Sequence, residues 1–195
     1  MGKRILIIQG HPDCSERHLC HALGSAYRRG ALAGGHEIRH INVTELDFAL
    51  LRSQHEWEHS PPPPDIASAQ ADVSWAEHIV LIFPLWLGDM PALLKAFLEQ
   101  VARPGFAFSG DERNPLAHKG LTGRSARLVV TMGMPALIYR WYYRAHSIRA
   151  LKRNVLNFVG IEPVDETIIG LVAQLKPQVV ERWFRRLEQL GMAAA

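Results

Sequence analysis

The chain has 195 residues, 48% of them hydrophobic and 21% charged, with 22 Lys and Arg against 19 Asp and Glu. That is enough for one domain, 1–195, with a core that needs no covalent staple, and it is far from a disordered composition. Two cysteines, Cys14 and Cys20, exclude a disulfide framework and a four-thiolate zinc site, and they point to a reducing, cytoplasmic compartment. The apolar run 5–8 is too short for a secretory signal, and no run reaches the length of a bilayer span, so no integral membrane segment is expected. The small positive balance carries no dense basic stripe before Arg140, which argues against a nucleic-acid partner and leaves anionic small ligands open.

Residues 3–9 form a short β-branched run stopped by Gly10 and are predicted to be a buried strand. A loop follows, then a helical pattern from Ser15, a plausible N-cap, to Ala33, with Gly34-Gly35 as the stop signal. Residues 37–43 alternate as a second strand. Residues 45–64 have no clean period and end in four prolines, which predicts a long surface excursion. A short helix over 65–76 leads to a strongly apolar strand, 78–83, ending at Pro84. Residues 91–103 read as a helix with proline in its first turn, and 104–122 as loop. A third buried strand is expected over 126–132, one or two helices over 136–159, a last strand over 162–171 and an amphipathic helix over 176–190.

Strands alternating with helices imply right-handed crossovers and a parallel sheet covered on both faces. Ligands then bind beyond the carboxyl ends of the strands, at the point where the strand order reverses. Three loops meet that condition. The first, Gly10-His11-Pro12-Asp13-Cys14-Ser15-Glu16-Arg17-His18, lacks a dinucleotide fingerprint and a P-loop, but brings a hydroxyl, a guanidinium and imidazoles to a helix N-terminus, where N–H groups favour a phosphate. A capped helix with polar flanks is the alternative. The second, Pro84-Leu85-Trp86-Leu87 running on to Pro91, is apolar and aromatic and suits a flat ring, or a loop packed on its neighbours. The third, Thr131-Met132-Gly133-Met134, has a glycine that permits close backbone approach, or an ordinary turn.

The segments His11-Pro12…Ser15…Leu19, Phe83-Pro84-Leu85-Trp86…Met90-Pro91-Ala92-Leu93-Leu94-Lys95, Gly105-Phe106-Ala107-Phe108 and Gly160-Ile161-Glu162-Pro163 occur in this order over nearly the whole chain. In them the chain resembles the flavodoxin-like NAD(P)H:quinone oxidoreductases, the DT-diaphorase and modulator-of-drug-activity group. The resemblance implies a doubly wound α/β fold with a five-stranded parallel sheet of order 2-1-3-4-5. It implies a flavin, FMN or FAD, with NAD(P)H as co-substrate and a quinone-like acceptor, and a homodimer with its site at the interface. FMN is favoured because the chain is short and shows no recognisable adenosine site.

Carried over by position, His11, Ser15, Arg17 and His18 would surround the flavin phosphate. Pro84, Leu85, Trp86 and Leu87 would line the isoalloxazine and offer it backbone N–H groups, and Thr131, Met132, Gly133 and Met134 would hold its other side. A family tyrosine and histidine near the quinone would correspond to Tyr139 and His146, as catalytic residues. The chain departs from the family at Leu87-Gly88-Asp89, where an aromatic pair is usual, and at Thr131-Met132-Gly133-Met134, where Thr-Thr-Gly-Gly is usual. Both departures bear on the acceptor more than on the flavin.

Two other classes compete. His55-Glu56-Trp57-Glu58-His59 matches the H-E-x-x-H zinc hydrolase pattern, although four prolines from Pro61 leave barely one turn after it. A regulatory reading is a flavin-binding ancillary subunit of potassium-efflux type, or an electron carrier. The segment from Arg140 to Arg153, rich in Arg, Lys and aromatics, would then face a partner, or else form an amphipathic helix whose arginines cover apolar surface.

Overall fold

The computed structural model describes residues 2–15, 17–110 and 118–195. In chain order its elements are β1 (Arg4–Gln9), α1 (Leu19–Ala33), β2 (Glu37–Asn42), α2 (Gln54–His59), α3 (Pro64–Trp75), β3 (His78–Pro84) and α4 (Ala92–Val101). A short antiparallel pair, β4 (Phe108–Ser109) and β5 (His118–Lys119), precedes β6 (Arg124–Thr131). Then come α5 (Ala136–Trp141), α6 (His146–Ala150), a π-helical run (Leu151–Leu156), α7 (Asn157–Val159), β7 (Ile161–Ile169) and α8 (Pro177–Ala193).

The main sheet has the order β2-β1-β3-β6-β7 with every neighbouring pair parallel. Setting the small pair aside, this is the expected 2-1-3-4-5 arrangement. Strands buried on both faces lose the polar alternation of a half-exposed strand, and all seven residues of β3 are buried. Their side chains still point alternately to two layers. Leu6, Ile8, Leu81, Phe83, Leu128 and Val130 pack against α3, α4 and the helices between β6 and β7. Ile5, Ile7, Val80, Ile82 and Val129 pack against Leu23 and Tyr27 of α1 and Leu187 and Leu190 of α8. The two helices of this second layer cross at backbone contact. A Cβ on Gly30 would lie 1.9 Å from the Glu188 carbonyl oxygen, and one on Gly191 2.2 Å from that of Tyr27.

Three elements differ from the sequence expectation, and a fourth, the stretch 136–159, takes the two-helix form of an expectation that allowed one or two. Helix α1 starts at Leu19 rather than beside Ser15, because Ser15 bonds to Asp13 instead of capping the helix. The excursion contains α2, whose start is a variant of the capping box: Ser53 Oγ accepts from the Glu56 N–H at 3.1 Å, and Glu56 Oε2 accepts from the N–H of Arg52, the residue before the cap, at 3.0 Å. The buried Arg103 donates to the carbonyls of Glu56 and Ser60 and ties this segment to the end of α4. The helical stretch over 136–159 breaks at Arg144 and Ala145, both left-handed at φ 50° and 48°. The expected loop over 104–122 carries β4 and β5, with its central residues 111–117 outside the described part. Among the described residues no helix is long and apolar enough to cross a membrane.

Candidate active site

The strand order reverses between β1 and β3, and there the three expected loops converge. Gly10 N–H donates to the Ile82 carbonyl at 2.7 Å, carrying the β1–β3 ladder one residue past β1. Leu85 N–H donates to the Thr131 carbonyl at 2.7 Å, and Met132 N–H to the Ile169 carbonyl at 2.9 Å, which join the second loop to the third and the third to the end of β7. His11 and Trp86 meet edge to face, ring centroids 6.0 Å apart, and link the first loop to the second. A Cβ on Gly10 would lie 2.7 Å from Leu94 Cδ2, so glycine lets the first loop pass close over α4.

The first loop is organised around an anion supplied by the chain itself. The Asp13 carboxylate accepts from Ser15 N–H at 2.8 Å, Ser15 Oγ–H at 2.6 Å and His18 Nε2–H at 2.9 Å. These three donors, led by the Ser15 hydroxyl, hold its carboxyl well below the usual range. The His18 ring stacks on His11 at 3.9 Å, and His21 stands edge-on to both at 5.7 and 5.3 Å. Burial, reinforced by the facing His18, lowers the pKa of His11 and favours its neutral form. Arg17 is exposed beside this cluster. Three donors converging on one carboxylate form a donor set that a phosphate group also needs. Of the four predicted phosphate residues, the structure brings His11, Ser15 and His18 into one network and leaves Arg17 at its rim. It adds Asp13 and His21, which the sequence reading did not assign. The Asp-x-Ser spacing was the available signal, because an aspartate two residues before a serine readily turns back on its backbone N–H.

The second loop is a tight turn. Trp86 N–H donates to the Asp89 carbonyl at 2.8 Å and Asp89 N–H to the Trp86 carbonyl at 3.0 Å, with Leu87 and Gly88 at φ 48° and 84° between them. Two positive φ values in succession give a primed turn that glycine enters freely and leucine does not. Pro84 is buried, Leu85 half-buried, Trp86 half-exposed, and Leu87 stands fully in solvent. Pro84 has no N–H, and those of Leu85 and Trp86 are already paired. The donors this edge has left for a ligand are therefore Leu87 and Gly88 on the turn and Gly133 and Met134 on the third loop, which donate to no group among the described residues. A Cβ on Gly133 would meet nothing within 4 Å, so its surroundings are open. Thr131 is buried below, its Oγ1 3.1 Å from Cys20 Sγ; burial pushes that thiol up to about 11 and keeps it protonated.

The two residues expected near the acceptor take part in no contact that joins the three loops among the described residues. Tyr139 is 2% exposed, its hydroxyl 2.6 Å from Ser147 Oγ and accepting from the Ile148 N–H at 3.3 Å. It therefore pins α5 to α6 inside the core. His146 is exposed at the start of α6, and its side chain makes no hydrogen bond or ring contact with the three loops among the described residues. In the H-E-x-x-H segment, Glu56 is the capping side chain of α2, and the exposed His55 and His59 stack at 4.8 Å. No group of three or more His, Cys, Asp or Glu is arranged to hold a metal ion among the described residues.

Residues 3–190 match the family model described as Flavodoxin-like fold. The chain is similar to an uncharacterized NAD(P)H oxidoreductase of Haemophilus influenzae, 25% identical over 169 residues that cover 85% of this chain and 82% of the relative. It is 31% identical over 120 residues to an FMN-dependent NADH:quinone oxidoreductase of Shewanella loihica, covering 61% of this chain and 57% of that one. The solved structure of the NAD(P)H:quinone oxidoreductase from Methanothermobacter marburgensis superposes with a TM-score of 0.78 at 20% identity, over 98% of this chain and 96% of the other. With its doubly wound sheet and its three loops gathered at the reversal of strand order, the chain belongs to the flavodoxin-like fold family.

Proposed function

We propose that the protein is a flavin-dependent NAD(P)H oxidoreductase that reduces quinones or similar flat acceptors by two electrons. The observation that carries this reading is the convergence of Ser15 N–H, Ser15 Oγ–H and His18 Nε2–H on a single anion beside the open, apolar loops that follow β3 and β6. A flavin nucleotide has that composition, a phosphate on one end and a planar apolar ring on the other. The named relatives that use FMN, NADH and quinones support it. When bound, the flavin supplies the chemistry: hydride acceptance from NAD(P)H and delivery of the electron pair to the acceptor.

The chain's own residues bind and orient. Ser15, His18 and His11, with Arg17 at the rim, hold the phosphate once the Asp13 carboxylate has withdrawn. Leu85, Trp86 and Leu87 form an apolar wall above Pro84. The N–H groups of Leu87, Gly88, Gly133 and Met134 are the donors left to face the polar edge of the ring, where negative charge develops on reduction. Thr131 and Met132 floor the third loop. Tyr139 serves as a structural joint in this reading, and a proton for the acceptor comes from solvent rather than from that hydroxyl.

FMN is the preferred cofactor. The site works as part of one domain, 1–195, in the cytoplasm, and the active species is a homodimer. The exposed large apolar side chains of Trp86, Leu87, Leu137, Ile138, Trp141 and Tyr142 support the dimer. The test is the absorption spectrum of the purified protein incubated with FMN, then with NADH or NADPH without oxygen, then with a quinone. Bound yellow chromophore, bleached by the nicotinamide and restored by the quinone, is expected. A protein that binds FMN but leaves it oxidised under NAD(P)H would be a carrier or a regulatory subunit.

A further inference from the structure

The positive charge of the chain gathers in one place. From Arg140 to Asn157 the sequence carries five Arg and Lys and no Asp or Glu. The fold wraps this segment round a cavity of about 770 Å³ beside the edge strand β7. Arg140 and Trp141 come from the end of α5, Arg149 from α6, Lys152 and Arg153 from the π-helical run, and Glu166 from β7. Glu166 is the one carboxylate of this lining and is already shared, Oε2 3.3 Å from Lys152 Nζ and Oε1 4.0 Å from Arg140 Nη2. Arg149 and Arg153 have no carboxylate partner among the described residues. Four cations against one carboxylate leave an excess of three, equal to the formal net charge of +3 on the whole chain.

Convergence, rather than any one exposed side chain, marks the site. Arg149, Lys152 and Arg153 are three and four residues apart and share a helix face, where like charges repel. A concave wall of one sign focuses its field and draws an anion. The backbone carries a second, independent mark. The wall is built on the π-helical run Leu151–Leu156, a rare conformation that recurs at functional sites. The buried Ala145, which also lines the cavity, is held left-handed at φ 48°. None of the lining residues lies on the loops after β1, β3 or β6. Glu166 stands in register with Leu128, three residues short of Thr131 at the rim, or about 10 Å by the rise of a strand.

We propose that this cavity binds a diphosphate group, brought by a nucleotide. A guanidinium holds a phosphate through two parallel N–H groups, so Arg149 and Arg153 suit two adjacent phosphates. Arg140 and Lys152, oriented by Glu166, add charge beside them. The volume suits a nucleoside diphosphate, and Trp141 offers a ring on which a base can stack. Trp141 is also among the side chains that support the dimer, so the base would lie beside that interface. Free pyrophosphate shares the charged part of this chemistry and lacks the base.

The experiment is calorimetric titration of the protein in excess FMN, with ADP, pyrophosphate and inorganic phosphate in separate arms. ADP should bind one-to-one and at least about tenfold more tightly than inorganic phosphate, because a second phosphate meets a second guanidinium. Pyrophosphate weaker than ADP identifies the nucleotide source, and equal affinity identifies the diphosphate alone as sufficient. Arg149→Ala combined with Arg153→Ala should weaken ADP at least about tenfold and leave FMN affinity unchanged. Arg185→Ala combined with Arg186→Ala removes the same charge from α8 and should leave ADP affinity unchanged. All four arginines are exposed, so neither variant opens the core. The proposal is overturned if ADP binds no more tightly than inorganic phosphate, or if the cavity pair binds ADP as tightly as the parent. It is equally overturned if the α8 pair weakens binding as much as the cavity pair, or if FMN displaces ADP. A protein that binds ADP through Arg149 and Arg153 but takes up no FMN would sink the flavin reading and leave this one standing.

Discussion

The loops after β1 and β3 flank the same reversal of strand order and are built on opposite principles. The first is polar and closed on itself: Asp13 gathers Ser15 and His18, and the imidazoles of His11, His18 and His21 crowd together beside it. The second is apolar and pushed outward: Leu87 stands in solvent in a left-handed conformation and Trp86 is half-exposed. The contrast separates anchoring from recognition. In the proposed function one loop would hold a charged tail through directed donors, and the other would offer a surface and a strained turn whose shape decides what lies against it.

The largest effect should come from the polar loop. Ser15→Ala combined with Arg17→Ala removes two donors to an anion, each worth about 1.5 kcal/mol, so FMN affinity measured by fluorescence quenching should fall roughly a hundredfold. Loss of less than a few-fold would break the division of roles. Asp13→Ala should act in the opposite direction, because the carboxylate occupies the donors that the phosphate needs. FMN affinity should rise about tenfold, an effect expected of a charge-assisted competitor. A decrease would mean that Asp13 shapes the loop rather than competing for it.

His11 sharpens the same loop through pH. Its pKa is lowered in the free protein, and a bound phosphate dianion raises it. Binding therefore takes up a proton, and affinity should increase as pH falls from the bound-state pKa toward the free-state pKa, by at most about tenfold per pH unit for one proton. The dependence should disappear in His11→Asn, as read by titrations across neutral pH. The smallest effect belongs to the apolar turn. Leu87→Gly relieves a left-handed leucine and should stabilise the protein by about 1 kcal/mol, a melting temperature roughly 3 °C higher for a chain of this size. Glycine also frees the unfolded chain, which offsets part of that gain. FMN affinity should change little, whereas preference among quinones should shift.

Much of the fold was legible in the sequence because burial on both faces leaves a plain mark. The runs at 5–8, 79–83 and 128–130 are continuous in apolar residues, and each is a central strand. Helix α8 was visible for the opposite reason, a single apolar face and proline at its start. The start of α1 was misplaced because Ser15 has two local partners available, a helix end and the carboxylate two residues before it, and the second wins. The bend at Arg144 and Ala145 carries no glycine to announce it. In α2 the serine-to-glutamate spacing of a capping box overlapped the zinc-like pattern, and one glutamate could serve only one of them.

The meeting of the three candidate loops at one edge could be read from strand order alone. The pairing of the Trp86 N–H could not, because it depends on a turn with leucine in a position usually reserved for glycine or asparagine. Tyr139 fitted a sequence correspondence, yet its hydroxyl lies in the core against Ser147.

The most direct test compares FMN with riboflavin, which shares the ring and lacks the phosphate. If the Ser15–His18 loop anchors the phosphate, FMN should bind at least a hundredfold more tightly, and the Ser15→Ala, Arg17→Ala variant should bring the two affinities together. Equal affinities in the unmodified protein would contradict the assignment of that loop.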